Sequence, residues 1–176
     1  MCRWIAGVAL WFLVSAAAVA QTPLAHPGQP GWTRSDGGCF VWNATPQVNE
    51  TVSWSGGCAG GRANGTGTEI WRWSGKEAGR YIGTMRDGKA NGHGVYTWAT
   101  GVRFEGEFRD DKFNGHGVKT WADGNRYEGE WRDGKANGVG RLVAADGTTF
   151  NGVWTNGCFK DGNRRAWVGV DQSSCP

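Results

Sequence analysis

Residues Tyr127-Glu128-Gly129-Glu130-Trp131 decide the fold of this chain. Aromatic side chains alternate with carboxylates, the two-residue period of a strand with an apolar face and a solvated one. Asp133-Gly134 follows at once and supplies the positive φ of a tight turn. The run Val139 to Val143 then reads as a returning strand, so the unit is a β-hairpin. The same pattern recurs at a period of 23, opened by Tyr81, Phe104, Tyr127 and Phe150. Gly83, Gly106, Gly129 and Gly152 stand two positions on, and Met85, Phe108, Trp131 and Trp154 four positions on. A worn copy precedes them in Trp54, Gly56, Gly61, Gly65, Gly67 and Trp71. Asp87-Gly88, Asp123-Gly124 and Asp146-Gly147 add further turn chemistry. Recurrence at a fixed period identifies a repeat architecture.

The unit resembles the MORN repeat (membrane occupation and recognition nexus), whose form is Tyr-x-Gly-x-Trp, a spaced glycine, then Gly-x-Gly. Tyr127 to Trp131, Gly134 and Gly138-Val139-Gly140 match it as they stand, and the likeness runs from Trp54 to Gly157. Asp111 in a glycine slot and Ala144 in a Trp slot depart from it. The resemblance implies a non-enzymatic scaffold that contacts a protein partner, a second copy of itself, or lipid head groups.

Composition agrees with this class. Among 176 residues are 31 glycines and 12 tryptophans. So much glycine disfavours helical bundles, its lack of a three-residue period excludes collagen, and so many aromatics exclude a disordered chain. The expected fold is all-β, an elongated open antiparallel sheet of repeated hairpins with disulfide-stapled caps. Rings lying flat across their neighbours explain the glycines, since only a residue without Cβ leaves room. Five units, two of them partial, give roughly nine or ten strands and a sheet on the order of 45 Å long.

Met1 to Ala20 has the order of a secretory signal peptide: Arg3, an apolar run, and Ala18-Val19-Ala20 as a cleavage site. An uncleaved anchor is the alternative. Cleavage near Ala20 makes the protein periplasmic or extracellular, and the alanine-rich leader suggests bacterial export. The sequons at Asn43, Asn49 and Asn64 are then expected to carry no glycan. Residues 21–38 read as a flexible linker, 39–53 as an N-terminal cap, 54–157 as the repeat sheet and 158–176 as a C-terminal cap. Cys39, Cys58, Cys158 and Cys175 remain after the leader. An even count in an exported chain implies two disulfides. A Cys58–Cys158 link would need its Cα atoms within about 7 Å across the length of an open sheet. The expected pairs are therefore 39–58 and 158–175.

The net charge is +3 with the leader and +2 without Arg3, so no nucleic acid partner is expected. Basic residues fall in columns: Arg80, Arg103 and Arg126; Arg86, Arg109 and Arg132; Lys89, Lys112 and Lys135. They form either a solvated, salt-bridged face or a track for an acidic protein or anionic lipid head groups. Candidate binding residues are Arg103, Arg126, Arg109 and Arg132, with Trp98, Trp121, Trp131 and Tyr127 if the ring face stays exposed. The alternative functions are an aromatic module for choline-like or sugar groups of the envelope, and an accessory of envelope-glycan enzymes. The rings could equally be covered by the N-terminal segment with Phe40 and Trp42. Glu105/Glu107 and Glu128/Glu130 recur at repeat offsets, as an active site has no reason to, so no catalytic residue is expected. His93 and His116 lie two strands apart, about 9.6 Å, too far to share an ion, so neither metal nor cofactor is expected.

Overall fold

The structure, a computed structural model, describes residues 30–176. The leader, its cleavage site and linker residues 21–29 lie outside the described residues. The chain is built of strands almost throughout, and the repeats form one open, elongated antiparallel sheet. Its strands are β3 (Glu50–Trp54), β5 (Arg62–Trp73), β6 (Lys76–Arg86), β7 (Lys89–Trp98), β8 (Arg103–Arg109), β9 (Lys112–Thr120), β10 (Arg126–Arg132), β11 (Lys135–Val143) and β12 (Thr149–Trp154). They pair in that order, and each neighbour is antiparallel.

One register line explains the glycines. Gly67, Gly83, Gly94, Gly106, Gly117, Gly129, Gly140 and Gly152 stand opposite one another from strand to strand. Across this ladder lie the rings of Tyr81, Phe104 and Tyr127. A Cβ at Gly94 would stand 2.5 Å from Cε2 of Tyr81, and one at Gly117 would stand 2.5 Å from Cζ of Phe104. The adjacent row is the ring row itself: Glu69, Tyr81, Tyr96, Phe104, Lys119, Tyr127, Leu142 and Phe150 in direct register.

A single-layer sheet thereby builds a core without a second layer. Edge-to-face contacts run from Tyr81 to Phe108 (5.1 Å), Phe104 (5.2 Å), Trp131 (5.4 Å), Tyr127 (5.0 Å) and Trp154 (5.1 Å). Such geometry suits ring quadrupoles. The indole Nε1 of Trp131 donates to the Gly117 carbonyl, and that of Trp154 to the Gly140 carbonyl, both at 3.1 Å. Each tryptophan thus ties its unit to the preceding hairpin. Bulges follow Gly83, Gly106 and Gly129, one per repeat, where an extra residue increases the local twist.

The Asp-Gly pairs make two kinds of turn. Asp87-Gly88 and Asp133-Gly134 have positive φ at both residues, as does Asp110-Asp111, and each closes a two-residue hairpin. At Asp123-Gly124 and Asp146-Gly147 only the glycine is left-handed. There the aspartate accepts from the backbone two residues on, Asn125 N at 3.0 Å and Thr148 N at 2.8 Å, and a longer loop results.

Both ends of the sheet are capped. At the first, β1 (Gly31–Arg34) and β2 (Phe40–Asn43) form a hairpin, and β4 (Gly57–Ala59) pairs with the start of β5. Cys39 is bonded to Cys58. Within the linker expected over 21–38, residues 31–34 instead form a strand, because Trp32 has a cross-strand partner in Trp42, ring to ring at 5.2 Å. The expected cap also ends early, since β3 already belongs to the repeat sheet. At the far end, β13 (Cys158–Asp161) and β14 (Arg164–Trp167) form a separate hairpin whose Phe159 packs on Trp154, and Cys158 is bonded to Cys175.

Candidate binding surfaces

Three surfaces carry the residues singled out by sequence. On the face opposite the rings, Arg103 meets Glu105 and Arg126 meets Glu128, each at 2.7 Å. The Arg126 guanidinium holds the Glu128 carboxyl below the usual carboxylate range. These two arginines are thus neutralised within their own strands. His93 faces Glu107 and His116 faces Glu130 across neighbouring strands of the same side. Farther along, Val139 and Val153 form an exposed cross-strand apolar pair, 62% and 68% accessible.

The second surface is the edge formed by the tight turns. Arg86 stands directly opposite Lys89, Arg109 opposite Lys112, and Arg132 opposite Lys135. Like charges in direct register oppose pairing. The edge is held rigid by an asparagine that sequence reasoning did not single out. Asn91 Oδ1 accepts from the Arg86 guanidinium (3.0 Å) and from Asp110 N (3.4 Å). Asn137 Oδ1 does the same for Arg132 and Asn156 N, both at 3.1 Å. Each such asparagine fixes one guanidinium and ties its turn to the next. Arg109 instead reaches Asp133 of the following turn at 4.0 Å.

The third surface is the ring face, where the structure divides the expected residues. Tyr127 is 0% and Trp131 3% exposed, so both are core and neither can meet a partner. Tyr127 lies across Gly140 against the edge of Trp154, and Trp131 is enclosed by Phe104, Phe113 and Tyr127. Trp98 and Trp121 are half-buried and remain accessible. Over them lies Lys119, whose Nζ is 5.6 Å from the Trp98 ring, 5.0 Å from Trp121 and 5.8 Å from Phe113. Burial lowers the pKa of this ammonium.

Near the N-terminal cap the same face holds two carboxylates that the repeat pattern conceals. Glu69 occupies the position of Tyr96 one unit along and of Lys119 two units along, and Asp111 the slot of the turn glycine. Burial pushes the Glu69 carboxyl up to about 8, partly offset by the Trp71 indole and reinforced by Asp111. Burial likewise raises Asp111 to about 6, against the pull of the Ala90 N–H and Lys89. The available signal was departure from the repeat: a charged residue where sister units hold an aromatic, a lysine or a glycine.

No group of three or more histidine, cysteine or acidic side chains among the described residues is arranged to hold a metal ion. No curated protein matches the chain. The MORN repeat family model matches residues 81–103, 104–126 and 127–149, the segments opened by Tyr81, Phe104 and Tyr127. With its ring-on-glycine hairpins repeated in register over that span, the chain carries three consecutive MORN repeats at residues 81–149.

Proposed function

We propose that the protein is a non-enzymatic scaffold, exported from the cell, which holds an acidic protein partner along the edge formed by its tight turns. One observation carries this reading: the directly opposed cations Arg86/Lys89, Arg109/Lys112 and Arg132/Lys135 recur at three successive turns. A cross-strand cation pair weakens its own hairpin, and a threefold repetition of that cost makes sense where an anion offsets it. Successive pairs lie two strands apart, about 9.6 Å, so the edge suits an extended acidic surface better than a small ion. Arg103 and Arg126, already paired with glutamates, drop behind Arg109 and Arg132. Two disulfides are compatible with an oxidising compartment.

The test is capture from envelope extract by the oxidised protein, alongside flotation with anionic phospholipid vesicles. Saturable capture of one acidic protein, weakened at least tenfold by Lys112→Glu with Lys135→Glu and by added salt, is expected. Flotation without protein capture would replace the protein by anionic lipid head groups, the second reading, which the same cation pairs favour. Capture unchanged by the double reversal would overturn the assignment of the edge.

A further inference from the structure

Between the N-terminal hairpin and the first repeats lies a cavity of about 220 Å³. Its walls include the Trp42, Trp71 and Tyr96 rings, and the carboxylates of Glu50, Glu69 and Asp111 line it. Glu50 already accepts from Asn43 Nδ2 at 2.7 Å and from Gln47 N at 3.0 Å. Asp111 accepts from Ala90 N at 2.7 Å. Glu69 is only 6% exposed. Among the described residues no lysine, arginine or histidine nitrogen comes within 4.0 Å of Glu69, Glu50 or Asp111. The Lys89 ammonium rests 5.0 Å from the Trp42 ring and draws the Asp111 carboxyl down.

The chain itself shows what this face accepts. Glu69, Tyr96 and Lys119 are equivalent residues of successive units, in one register row. At the third of these positions the sequence supplies its own ammonium and lays it against Trp98, Trp121 and Phe113. At the first it supplies rings and a buried carboxylate, and no cation within 4.0 Å of that carboxylate; Lys89 reaches only the Trp42 ring. Asp111 sharpens the contrast. It sits at φ +67° in a turn slot that is glycine in the neighbouring repeats, Gly88 and Gly134. A residue that accepts a left-handed backbone there brings a second carboxylate into the cavity.

We propose that this cavity is a binding site for a small organic cation, an ammonium or quaternary ammonium group held between the Glu69 and Asp111 carboxylates and the Trp42, Trp71 and Tyr96 rings. Carboxylates neutralise the charge, and ring faces attract it through their quadrupoles. The volume limits the ligand to one small head group. This site adjoins the turn edge, since Asp111 closes the turn between Arg109 and Lys112, but it takes a cation where the edge takes an anion.

Proton linkage gives the binding a signature. Glu69 carries its proton at neutral pH in the empty cavity, and a cation entering beside it expels that proton. Affinity should therefore rise with pH by up to tenfold per unit between pH 6 and 8. The test is calorimetric titration of the oxidised protein with choline chloride and with tetramethylammonium chloride at pH 6, 7 and 8. N-acetylglucosamine and potassium chloride serve as controls. Saturable binding of the organic cations with proton release, lost in Glu69→Gln and weakened at least tenfold in Asp111→Gly, is expected. Asp111→Gly restores the turn residue of the sister repeats, so it keeps the fold and separates lost binding from lost structure. Absence of saturable heat at every pH would overturn the proposal, as would cation binding indifferent to Glu69→Gln. Binding of the neutral sugar with no pH dependence would overturn it too, turning the cavity into a carbohydrate site. Lys135→Glu, in the following turn, should leave the cation titration unchanged.

Discussion

Single side chains on the ring face set both packing and pH response. Gly117 is the clearest packing case, because an added methyl would meet Phe104 with the Glu105 carbonyl oxygen 3.2 Å away on the backbone. Gly117→Ala should cost about 1–3 kcal/mol by overpacking, read from the urea midpoint at an unchanged slope. Trp131→Phe puts the residue of the preceding repeat, Phe108, in its place. It keeps the ring contact but orphans the Gly117 carbonyl, for a loss of about 1–3 kcal/mol. Glu69 acts through its proton. Its folded pKa of about 8 lies above the unfolded value, so the native state binds the extra proton between about pH 4 and 8. Stability is then full below that window and falls as pH rises through it, by at most about 1.4 kcal/mol per unit. Asp111, raised to about 6, adds to the same slope at its lower end. Melting curves of the wild type should shift down between pH 5 and 8.5, and Glu69→Gln should remove most of that shift.

At the scale of the hairpin, most of the architecture could be read from Tyr127 to Gly140 alone. Alternation named the strands, Asp133-Gly134 named the turn, and spacing placed the glycines where rings cross them. Three things escaped that reading, each for a physical reason. Alternation and glycine spacing lay the rings flat but do not tell how far neighbouring rings close over them, so Trp131 and Tyr127, candidates if the ring face stayed exposed, prove to be core. Charge columns do not reveal which cation has a partner, so a salt-bridged face and a binding track stayed open for Arg103 and Arg126, which Glu105 and Glu128 neutralise. The cavity carboxylates became visible only when strand register set Glu69 beside Tyr81 and Tyr96. The caps had no repeat to announce them, and β1 was hidden within a proline-bearing stretch. Their attachment is also distinct in energy. The Cys158–Cys175 bridge spans a sequence separation of 17, so reduction should remove about 3 kcal/mol from the C-terminal hairpin. Hydrogen exchange under reductant should then rise across 158–167 while β8 to β10 stay protected, since repeat arrays couple mainly through neighbours.

For the whole molecule, length is a count of units. Deleting 104–126 joins Arg103 to Tyr127, which has the role of Phe104, and leaves the ring row continuous. The shortened protein should fold, melt at a lower temperature, and lose about 9.6 Å of its long dimension by solution scattering, two strand spacings. An aggregated or molten product would show that the repeats are not interchangeable and that the array depends on contacts beyond neighbours.

The repeats share one backbone pattern but differ in what they display. Along the row beside the glycine ladder, the equivalent positions read Glu69, Tyr96, Lys119, Leu142. A perfectly periodic ribbon would look the same to a molecule displaced by one unit and could not tell its two ends apart. This sequence of acid, phenol, amine and hydrocarbon removes that ambiguity. Whatever lies along the rings meets a polar axis with an acidic head and an apolar tail, on which it has one heading and one place to stop.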